Sequence, residues 1–408
     1  MFRLLLLSAI VIAGASAQTA VITGADVLMG REFSLIAGKR VGLVTNHTAV
    51  LAGGMHLADA LTARKDVKLA ALFGPEHGIR GDAPDGITIK DSIDEKTGVK
   101  VFSLYGAVSK PTPAMLKDVD VLVFDIQDVG ARFYTFISTL FLAMEAASEN
   151  NIPFIVLDRP NPIGGAYCEG PVRVDSLKSF VGWAPMPIAH GLTVGELAAM
   201  ANGEGWLAHG EQARLTVVKM DGWKRSLRYD ETSLAWVRPS PNMRTVNTAI
   251  VYPGTCLIEG VNVSEGRGTD KPFEMLGAPW INGDSLSAAL NAQRLPGVTF
   301  EPAVFTPHVI AGVSSPKYKN TECRGVFVHV VDRASFDAVR SGIALVSAIH
   351  ALYPSQLTFR DRGFDRLAGT PAIRTMIQSG STVAEIAGTW SEPVKQFDAQ
   401  RRKYFLYK

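Results

Sequence analysis

The sequence predicts an α/β fold: a first domain built on a mostly parallel sheet, followed by a smaller C-terminal α+β domain. In the first half of the chain, short runs of Val, Ile and Leu alternate with helical stretches. Such continuously apolar strands are typical of parallel sheets covered by helices on both faces. Hydrophobic residues make up 47% of the 408 residues, enough for a large core. From about Gly254 the pattern changes. These observations indicate a Rossmann-like, doubly wound sheet with a second domain.

Five strands and three helices are predicted in the first half. The strands are Val41–Thr45, Lys68–Phe73, Val101–Leu104, Val119–Phe124 and Pro153–Leu157, and the helices are His56–Lys65, Tyr134–Asn150 and Thr193–Asn202. The middle helix is apolar on nearly all sides, which predicts that it is buried. In the third helix, Glu196 follows Thr193 at the spacing of a capping box, which marks a helix start.

The stretch from residue 238 to 279 is rich in Gly, Pro, Asn and Ser. It is too long for an ordinary connector, so we interpret it as a functional loop region or a domain junction. Beyond it we predict strands at Val298–Phe305 and Val326–Val331, a helix at Ser335–Leu352 and a helical tail from Thr370. The predicted division is 18–253 for the Rossmann-like domain and 254–408 for the smaller one.

Residues 1–17 have the pattern of a secretory signal peptide. An apolar run from Leu4 to Ala13 follows Arg3, and an A-x-A cleavage pattern ends at Ala17. The run is too short to span a bilayer, and no later segment is apolar enough to do so. We therefore expect a secreted or periplasmic protein without a membrane span. The formal net charge of +2 argues against a nucleic-acid partner, which usually requires a clear basic excess.

Polar side chains cluster at the ends of four of the five predicted strands. These are Asn46 and His47 after the first strand; Glu76, His77 and Arg80 after the second; Asp125, Gln127, Asp128 and Arg132 after the fourth; and Arg159 and Asn161 after the fifth. The carboxyl ends of parallel strands share one edge of the sheet, where ligands of such folds bind. The sequence therefore predicts that these residues converge on one site.

Several common kinds of site are disfavoured by missing motifs. The sequence contains no G-x-G-x-x-G after a strand, no P-loop, no G-x-S-x-G elbow and no H-E-x-x-H. His47, His77 and Asp125 could gather a metal ion, but such spacing is common by chance; we expect neither a metal nor a cofactor. The remaining carboxylate, arginine, amide and histidine side chains suit a polar ligand such as a sugar acid. Glycoside cleavage needs a protonated carboxylic acid, usually with a second carboxylate or a substrate group acting as one.

Eight sequence blocks carry a resemblance to a known family. They are GLVTNHT (42–48), LFGPEHGIRG (72–81), FDIQDVGARFYT (124–135), DRPNPIGG (158–165), EGP (169–171), RPSPNM (238–243), YPGT (252–255) and SEGRGT (264–269). In these blocks, and over nearly the whole chain after residue 20, the sequence resembles the NamZ (YbbC-like) family of exo-β-N-acetylmuramidases.

The resemblance implies a fold, an activity and a catalytic residue. The fold would be a Rossmann-like domain and a smaller C-terminal domain with a cleft between them. The activity would be hydrolysis of terminal non-reducing N-acetylmuramic acid from peptide-free peptidoglycan glycans, as in cell-wall turnover. Glu76, in the Pro-Glu-His-Gly motif, would be the catalytic acid. Asp125 is our candidate for the second catalytic group, although the substrate's 2-acetamido group could instead attack while Asp125 orients it.

We predict a set of substrate-binding residues around these two carboxylates. They are Asn46, His47, His77, Arg80, Gln127, Asp128, Arg132, Arg159, Asn161, Glu169, His190 and Arg267, with Asn242 and Glu259 as further candidates to line the cleft. N-acetylmuramic acid carries a lactyl carboxylate, and a guanidinium grips a carboxylate with two parallel bonds. At least one of the four arginines should bind the lactyl group, while most should form internal salt bridges. The alternative function is a non-catalytic cell-wall protein that binds muropeptides.

Overall fold

The computed structural model describes residues 20–81, 90–313 and 315–408. The predicted signal peptide, residues 1–17, lies outside the described residues. In the described ranges, every helix is too short or too polar to cross a membrane.

A seven-stranded sheet lies at the centre of the first domain. Its strands are β1 (Arg40–Thr45), β2 (Lys68–Gly74), β3 (Ser92–Ile93), β4 (Lys100–Ser103), β5 (Val121–Asp125), β6 (Phe154–Leu157) and β7 (Leu215–Val218). The spatial order is β3-β4-β2-β1-β5-β6-β7, and all pairs are parallel except β3 with β4. From β1 the chain winds outward first to one side and then to the other. The predicted doubly wound, mostly parallel sheet is therefore confirmed, with two short edge strands, β3 and β7, that the sequence pattern did not indicate.

Helices cover both faces of this sheet. They are α1 (Gly24–Gly30), α2 (Leu57–Thr62), α3 (Pro113–Leu116), α4 (Phe136–Glu149) and α5 (Val194–Gly203); the next helix, α6 (Val246–Thr255), packs against the second domain. Helix α4 is buried along residues 136–147, as its apolar sequence predicts. Helix α5 begins with the predicted capping box, in which Thr193 and Glu196 each accept a bond from the other's backbone N–H.

The second domain contains a separate antiparallel sheet with helices. The strands β8 (Met275–Ala278), β9 (Val298–Phe305) and β10 (Cys323–Val330) have the order β8-β10-β9. The helices are α7 (Gly283–Asn291), α8 (Ala338–Leu352), α9 (Asp361–Ala368), α10 (Ala372–Gln378), α11 (Val383–Gly388) and α12 (Ser391–Arg401). The smaller α+β domain predicted for the C-terminal part is confirmed.

The stretch 238–279, interpreted from its composition as a functional loop region or a domain junction, is not a continuous loop. Its middle is the buried helix α6, which contains Pro253 and Gly254 in its last turn. A Cβ atom on Gly254 would lie 1.8 Å from the carbonyl oxygen of Ala338, and one on Gly342 would lie 2.3 Å from the carbonyl oxygen of Gly254. The glycines therefore allow α6 and α8 to cross with their backbones in contact. Helix α6 also spans the predicted boundary at residues 253 and 254.

Residues 402–408, which follow α12, return to the first domain. The Tyr407 hydroxyl donates to Oδ2 of Asp158 over 2.5 Å and accepts a bond from the backbone N–H of Met220 over 2.9 Å. Asp158 is fully buried and directly follows β6. The backbone N–H of Leu406 donates to Glu196, and that of Arg225 donates to the carbonyl of Lys408. This C-terminal strap (residues 402–408) ties the two domains together.

Candidate functional site

The strand order reverses between β1 and β5, and ligands of doubly wound sheets bind in the crevice at this point. Asn46, which follows β1, is fully buried, and its Oδ1 accepts bonds from the backbone N–H and the hydroxyl of Thr48 over 3.0 and 2.6 Å. Gln127, which follows β5, donates its backbone N–H to the Thr48 hydroxyl and its amide to the carbonyls of Asp128 and Pro160. The structure thus brings Asn46 and Gln127 together in a buried network beneath the crevice.

Asp125 and Arg159 form an ion pair inside this region. Nε and Nη2 of Arg159 donate to the two carboxylate oxygens of Asp125 over 2.5 and 2.9 Å. Side-chain exposure is 0% for Asp125 and 4% for Arg159. Burial lowers the pKa of Arg159, but Asp125 outweighs this effect and raises it overall. The sequence placed both residues at ligand-facing positions, whereas the structure places them in a buried pair beneath the crevice.

Glu76 lies on a tight turn at the end of β2. The backbone N–H of Gly78 donates to the carbonyl of Pro75 over 3.0 Å, and both His77 and Gly78 have positive φ, at 71° and 72°. A positive φ is uncommon for a residue other than glycine, and such strained positions concentrate at functional sites. The Thr135 hydroxyl donates to Oε2 of Glu76 over 2.9 Å, which fixes the half-buried carboxyl group.

A cavity of about 170 Å³ opens beside Glu76. Its walls combine aromatic rings with polar and charged side chains: the lining consists of Glu76, His77, Tyr105, Phe133, Tyr134, Thr135, Phe136, Val181, Ser240, Met243, Tyr252, Glu259, Arg267 and Phe273. Tyr252 packs edge-on against Phe133 and Phe273, with ring centroids 5.3 and 4.8 Å apart. The cavity therefore lies between the two domains, with the Glu76 carboxyl on one side and Glu259 and Arg267 on the other.

Glu259 and Arg267 form an ion pair on the second-domain side of the cavity. Nε and Nη2 of Arg267 both contact Oε1 of Glu259, at 3.1 and 2.6 Å. The Arg267 guanidinium also lies 5.2 Å from the centroid of the Phe273 ring and 3.4 Å from Oε1 of Glu265. The side chains of Glu259 and Arg267 are 28% and 21% exposed. Both charges therefore lie at the cavity, within reach of a ligand.

Sequence reasoning did not predict the aromatic wall or the contact of Thr135 with Glu76. Aromatic residues are more often part of the core than of a binding site, and their convergence depends on contacts between the two domains. A sequence signal for Thr135 exists, since it is the final residue of the FDIQDVGARFYT block. Asn242 is buried and is not among the residues that line the cavity.

Arg80 is held by two carboxylates outside this cavity. Its Nε and Nη2 donate to Asp94 over 2.8 and 2.7 Å, and its Nη2 also donates to Asp59 over 2.6 Å. His47 lies nearby, with Nε2 2.6 Å from the carbonyl oxygen of Arg238. Arg80, His47 and His77 line a second cavity next to the first. His77 lines both, so it forms part of the wall between them.

The Arg80–Asp94 contact predicts an acid-dependent loss of stability. Arg80 lowers the pKa of Asp94 to about 2, from a usual value of about 4. A lowered carboxyl pKa stabilises the folded state above pH 4, and this stabilisation is lost as the pH falls towards 2. We expect the melting temperature of Asp94→Asn to fall less steeply than that of the unmodified protein between pH 5 and pH 2.

The matched control is Asp270→Asn, because the Asp270 side chain is 94% exposed. Its melting temperature should follow that of the unmodified protein over the same range. Equal slopes for Asp94→Asn and the unmodified protein would contradict the prediction.

Arg132 joins the two domains from a fully buried position. Nη1 donates to the carbonyls of Pro171 and Met186 over 2.6 and 2.8 Å, and Nη2 donates to the carbonyl of Leu367 over 2.7 Å. Burial lowers the pKa of its guanidinium to about 9. The sequence predicted Arg132 as a ligand-binding residue, but the structure surrounds it with backbone carbonyls, away from the cavity.

Four other predicted site residues also lie apart from the Glu76 cavity. Asn161 bonds the backbone of Leu192 and Ile163. His190 is fully buried, with Nε2 3.4 Å from Oδ2 of Asp128, which in turn accepts a 2.7 Å bond from the backbone N–H of Gly130. Glu169 accepts a bond from the Trp390 indole, and burial raises the pKa of its carboxyl group. The structure therefore brings together Glu76, His77 and Arg267 from the predicted set, and not these four.

His47, His77 and Asp125 are the three residues that the sequence offered as possible metal ligands. Across residues 20–81, 90–313 and 315–408, no three or more His, Cys, Asp or Glu side chains are grouped so that they could hold a metal ion.

A carboxyl group thus lies on an aromatic-walled cavity between a doubly wound domain and a smaller α+β domain. The chain belongs to the exo-β-N-acetylmuramidase NamZ family: residues 41–247 match its N-terminal domain and residues 250–407 its C-terminal domain. The resemblance noted in the sequence is confirmed.

Relatives and solved structures agree with this assignment. The chain is 51% identical over 386 residues to the peptidoglycan beta-N-acetylmuramidase NamZ of Bacillus subtilis (strain 168), covering 94% of this chain and 91% of the relative. Two crystal structures of DUF1343 family proteins from Bacteroides fragilis NCTC 9343 have the same fold. One has a TM-score of 0.88 at 41% identity and the other 0.79 at 34%, and each match covers 95% of this chain and 99% of the other.

Proposed function

We propose that this protein is an exo-acting β-N-acetylmuramidase that hydrolyses terminal non-reducing N-acetylmuramic acid from peptidoglycan-derived glycans. The observation that carries the proposal is the position of Glu76, fixed by Thr135 at the edge of an aromatic cavity between the domains. The high identity to a peptidoglycan muramidase supports the same substrate class. The binding-protein alternative is disfavoured because the carboxyl group needed for the chemistry is present and lies on the cavity.

Glu76 is the proposed general acid. Glycoside cleavage requires a carboxylic acid that protonates the leaving oxygen while positive charge develops at the anomeric carbon. The hydrogen bond from Thr135 restricts the rotation of the Glu76 carboxyl group, so the acid is held in one orientation. The rings of Tyr252 and Phe273 give the sugar an apolar surface and exclude bulk water. Water then completes hydrolysis at the anomeric carbon.

The second catalytic group has two candidates in this geometry. Glu259 lines the same cavity as Glu76, whereas Asp125 is buried against Arg159. We therefore favour Glu259 over Asp125 as the protein carboxylate that acts with Glu76. The substrate's own 2-acetamido group is the other candidate, and it needs no second protein carboxylate at the anomeric carbon.

The size of the cavity supports cleavage at a chain end. Pockets for drug-sized ligands enclose roughly 300–1,000 Å³, whereas this cavity holds about 170 Å³. A space of this size is small for a stretch of glycan, which supports binding of a single terminal sugar and exo-action.

The reaction is tested with a glycan of alternating N-acetylmuramic acid and N-acetylglucosamine. The glycan has N-acetylmuramic acid at its non-reducing end and a label at its reducing end. We expect mass spectrometry to detect free N-acetylmuramic acid and a labelled product shorter by one sugar. Internal fragments would contradict exo-action. A glycan that binds without being cleaved would support the alternative, a muropeptide-binding protein.

We also propose that the protein acts outside the cytoplasm, either secreted or in a periplasm. The signal-peptide pattern of residues 1–17 supports this location. N-terminal sequencing of the exported protein should give Gln18 as its first residue, and an intact N-terminus would contradict the proposal.

A further inference from the structure

The structure separates the four arginines that were candidates to bind the lactyl carboxylate. Arg80 is bound by Asp59 and Asp94, Arg159 is paired with Asp125, and Arg132 is surrounded by backbone carbonyls. None of these three is among the residues that line the Glu76 cavity, whereas Arg267 is. Among the described residues that line this cavity, Arg267 is the one arginine or lysine.

We propose that Arg267 binds the lactyl carboxylate of N-acetylmuramic acid, and that this contact makes the enzyme prefer N-acetylmuramic acid to N-acetylglucosamine. The two sugars differ only by the lactyl ether, so a residue that recognises its carboxylate sets the specificity. The inference rests on the proposed function, because it assigns one residue of the same site to one group of the same substrate.

The charges around the cavity require a cation for an anionic substrate. Glu259 lines it, so a substrate carboxylate would enter next to a carboxylate as well as beside Glu76, the proposed acid. A like charge in the same cavity disfavours binding unless an opposite charge compensates. Arg267 is 21% exposed, so its attraction for a carboxylate is screened less than that of a surface arginine.

The contacts of Arg267 hold its guanidinium at the cavity. Nε and Nη2 both contact Oε1 of Glu259, and Phe273 packs against the guanidinium. The pair with Glu259 then serves to orient the guanidinium before the substrate arrives.

The backbone around Arg267 is held firmly. Gly266 and Gly268 have φ of 77° and 79°, and a Cβ atom on Gly266 would lie 2.4 Å from the carbonyl oxygen of Met275. The Lys317 ammonium contacts Oε2 of Glu265 over 3.0 Å and donates to the carbonyls of Ile258, Val261 and Val263. The segment that carries Glu259 and Arg267 is thus tied to the second domain at several points, which favours a preformed binding group.

The test measures kcat/KM for Arg267→Gln with three 4-nitrophenyl glycosides: the β-N-acetylmuramide, its lactyl methyl ester and the β-N-acetylglucosaminide. Losing a charge-assisted contact should lower kcat/KM for the muramide by about 10- to 100-fold. The ester and the glucosaminide lack the negative charge, so their kcat/KM should change less than threefold. The inhibition constant of free N-acetylmuramic acid should rise by the same factor as the muramide loss. Arg267→Lys keeps the charge but not the planar fork, so its kcat/KM for the muramide should lie between those of the unmodified protein and Arg267→Gln.

The matched control is Arg244→Gln. Arg244 pairs with the exposed Asp270 and does not line the cavity, so its substitution should leave all three rates unchanged. Equal losses on all three substrates in Arg267→Gln and Arg267→Lys would show that Arg267 acts only through the structure of the site, and unchanged rates would show no contact. Either result would overturn the inference. If the unmodified protein hydrolyses no muramide, the proposed function itself fails, which is a separate outcome.

Discussion

Replacing Glu76 with glutamine is expected to lower kcat for a disaccharide of N-acetylmuramic acid linked to N-acetylglucosamine by about 10²- to 10⁴-fold, the usual contribution of a general acid. Glutamine has nearly the same shape as glutamate and can still bond to Thr135, so folding and substrate binding should persist. It cannot transfer a proton to the glycosidic oxygen. Steady-state kinetics give the loss in kcat, and a thermal melt confirms that the variant is folded.

The leaving group distinguishes acid catalysis from a general defect in the site. A 4-nitrophenolate leaves readily without protonation, whereas a sugar hydroxyl does not. The loss in Glu76→Gln should therefore be at least tenfold smaller for the nitrophenyl muramide than for the disaccharide. Equal losses on both would assign Glu76 to binding or positioning. Glu322→Gln, at an exposed ion pair with Arg324, serves as the control and should keep full activity on both substrates.

Replacing Arg159 with methionine is expected to reduce the free energy of unfolding by about 3–5 kcal/mol, the usual cost of removing one partner from a buried ion pair. Asp125 is fully buried and would be left with an uncompensated negative charge. Urea denaturation of the variant and the unmodified protein gives the difference. Arg40→Met is the matched control, because Arg40 and Asp120 are 42% and 39% exposed; its effect on the free energy of unfolding should be several-fold smaller.

The double variant Asp125→Leu/Arg159→Met separates stability from catalysis. Removing both charges eliminates the uncompensated charge, so most of the lost stability should return. If the Asp125 carboxylate acts only as the partner of Arg159, this variant should also retain activity within about tenfold, as expected for a repacked site. A folded but inactive double variant would restore Asp125 as a catalytic group. A double variant less stable than Arg159→Met would contradict the ion-pair argument.

The edge of the sheet could be predicted from sequence, but the individual contacts at that edge could not. Strand periodicity and polar strand ends are local signals, and they placed Glu76 and Asn46 at the carboxyl ends of neighbouring strands. The partners of the arginines are not local. Arg132 donates to the carbonyl of Leu367, 235 residues away, and Arg159 reaches Asp125, 34 residues away. No pattern within one strand or helix specifies such a pair.

Helix α6 shows how a tertiary contact overrides a composition signal. Pro253 and Gly254 indicate a loop, because proline and glycine usually interrupt helices. In the structure Gly254 is needed where α6 crosses α8, with Gly342 opposite it. The requirement lies in the closeness of two backbones, and it becomes visible only when both helices are in place.

The C-terminal strap has a consequence for the order in which the protein can mature. Tyr407 reaches Asp158 across 249 positions of sequence. A ribosome therefore finishes the whole first domain long before the hydroxyl that bonds this buried carboxyl group exists. Until residues 406–408 emerge, Asp158 and the backbone N–H of Met220 lack this partner, and the nascent first domain exposes the surface that the strap later covers. The native fold of the first domain is thereby completed only after residues 406–408 have been synthesised, and the two halves do not mature as independent modules.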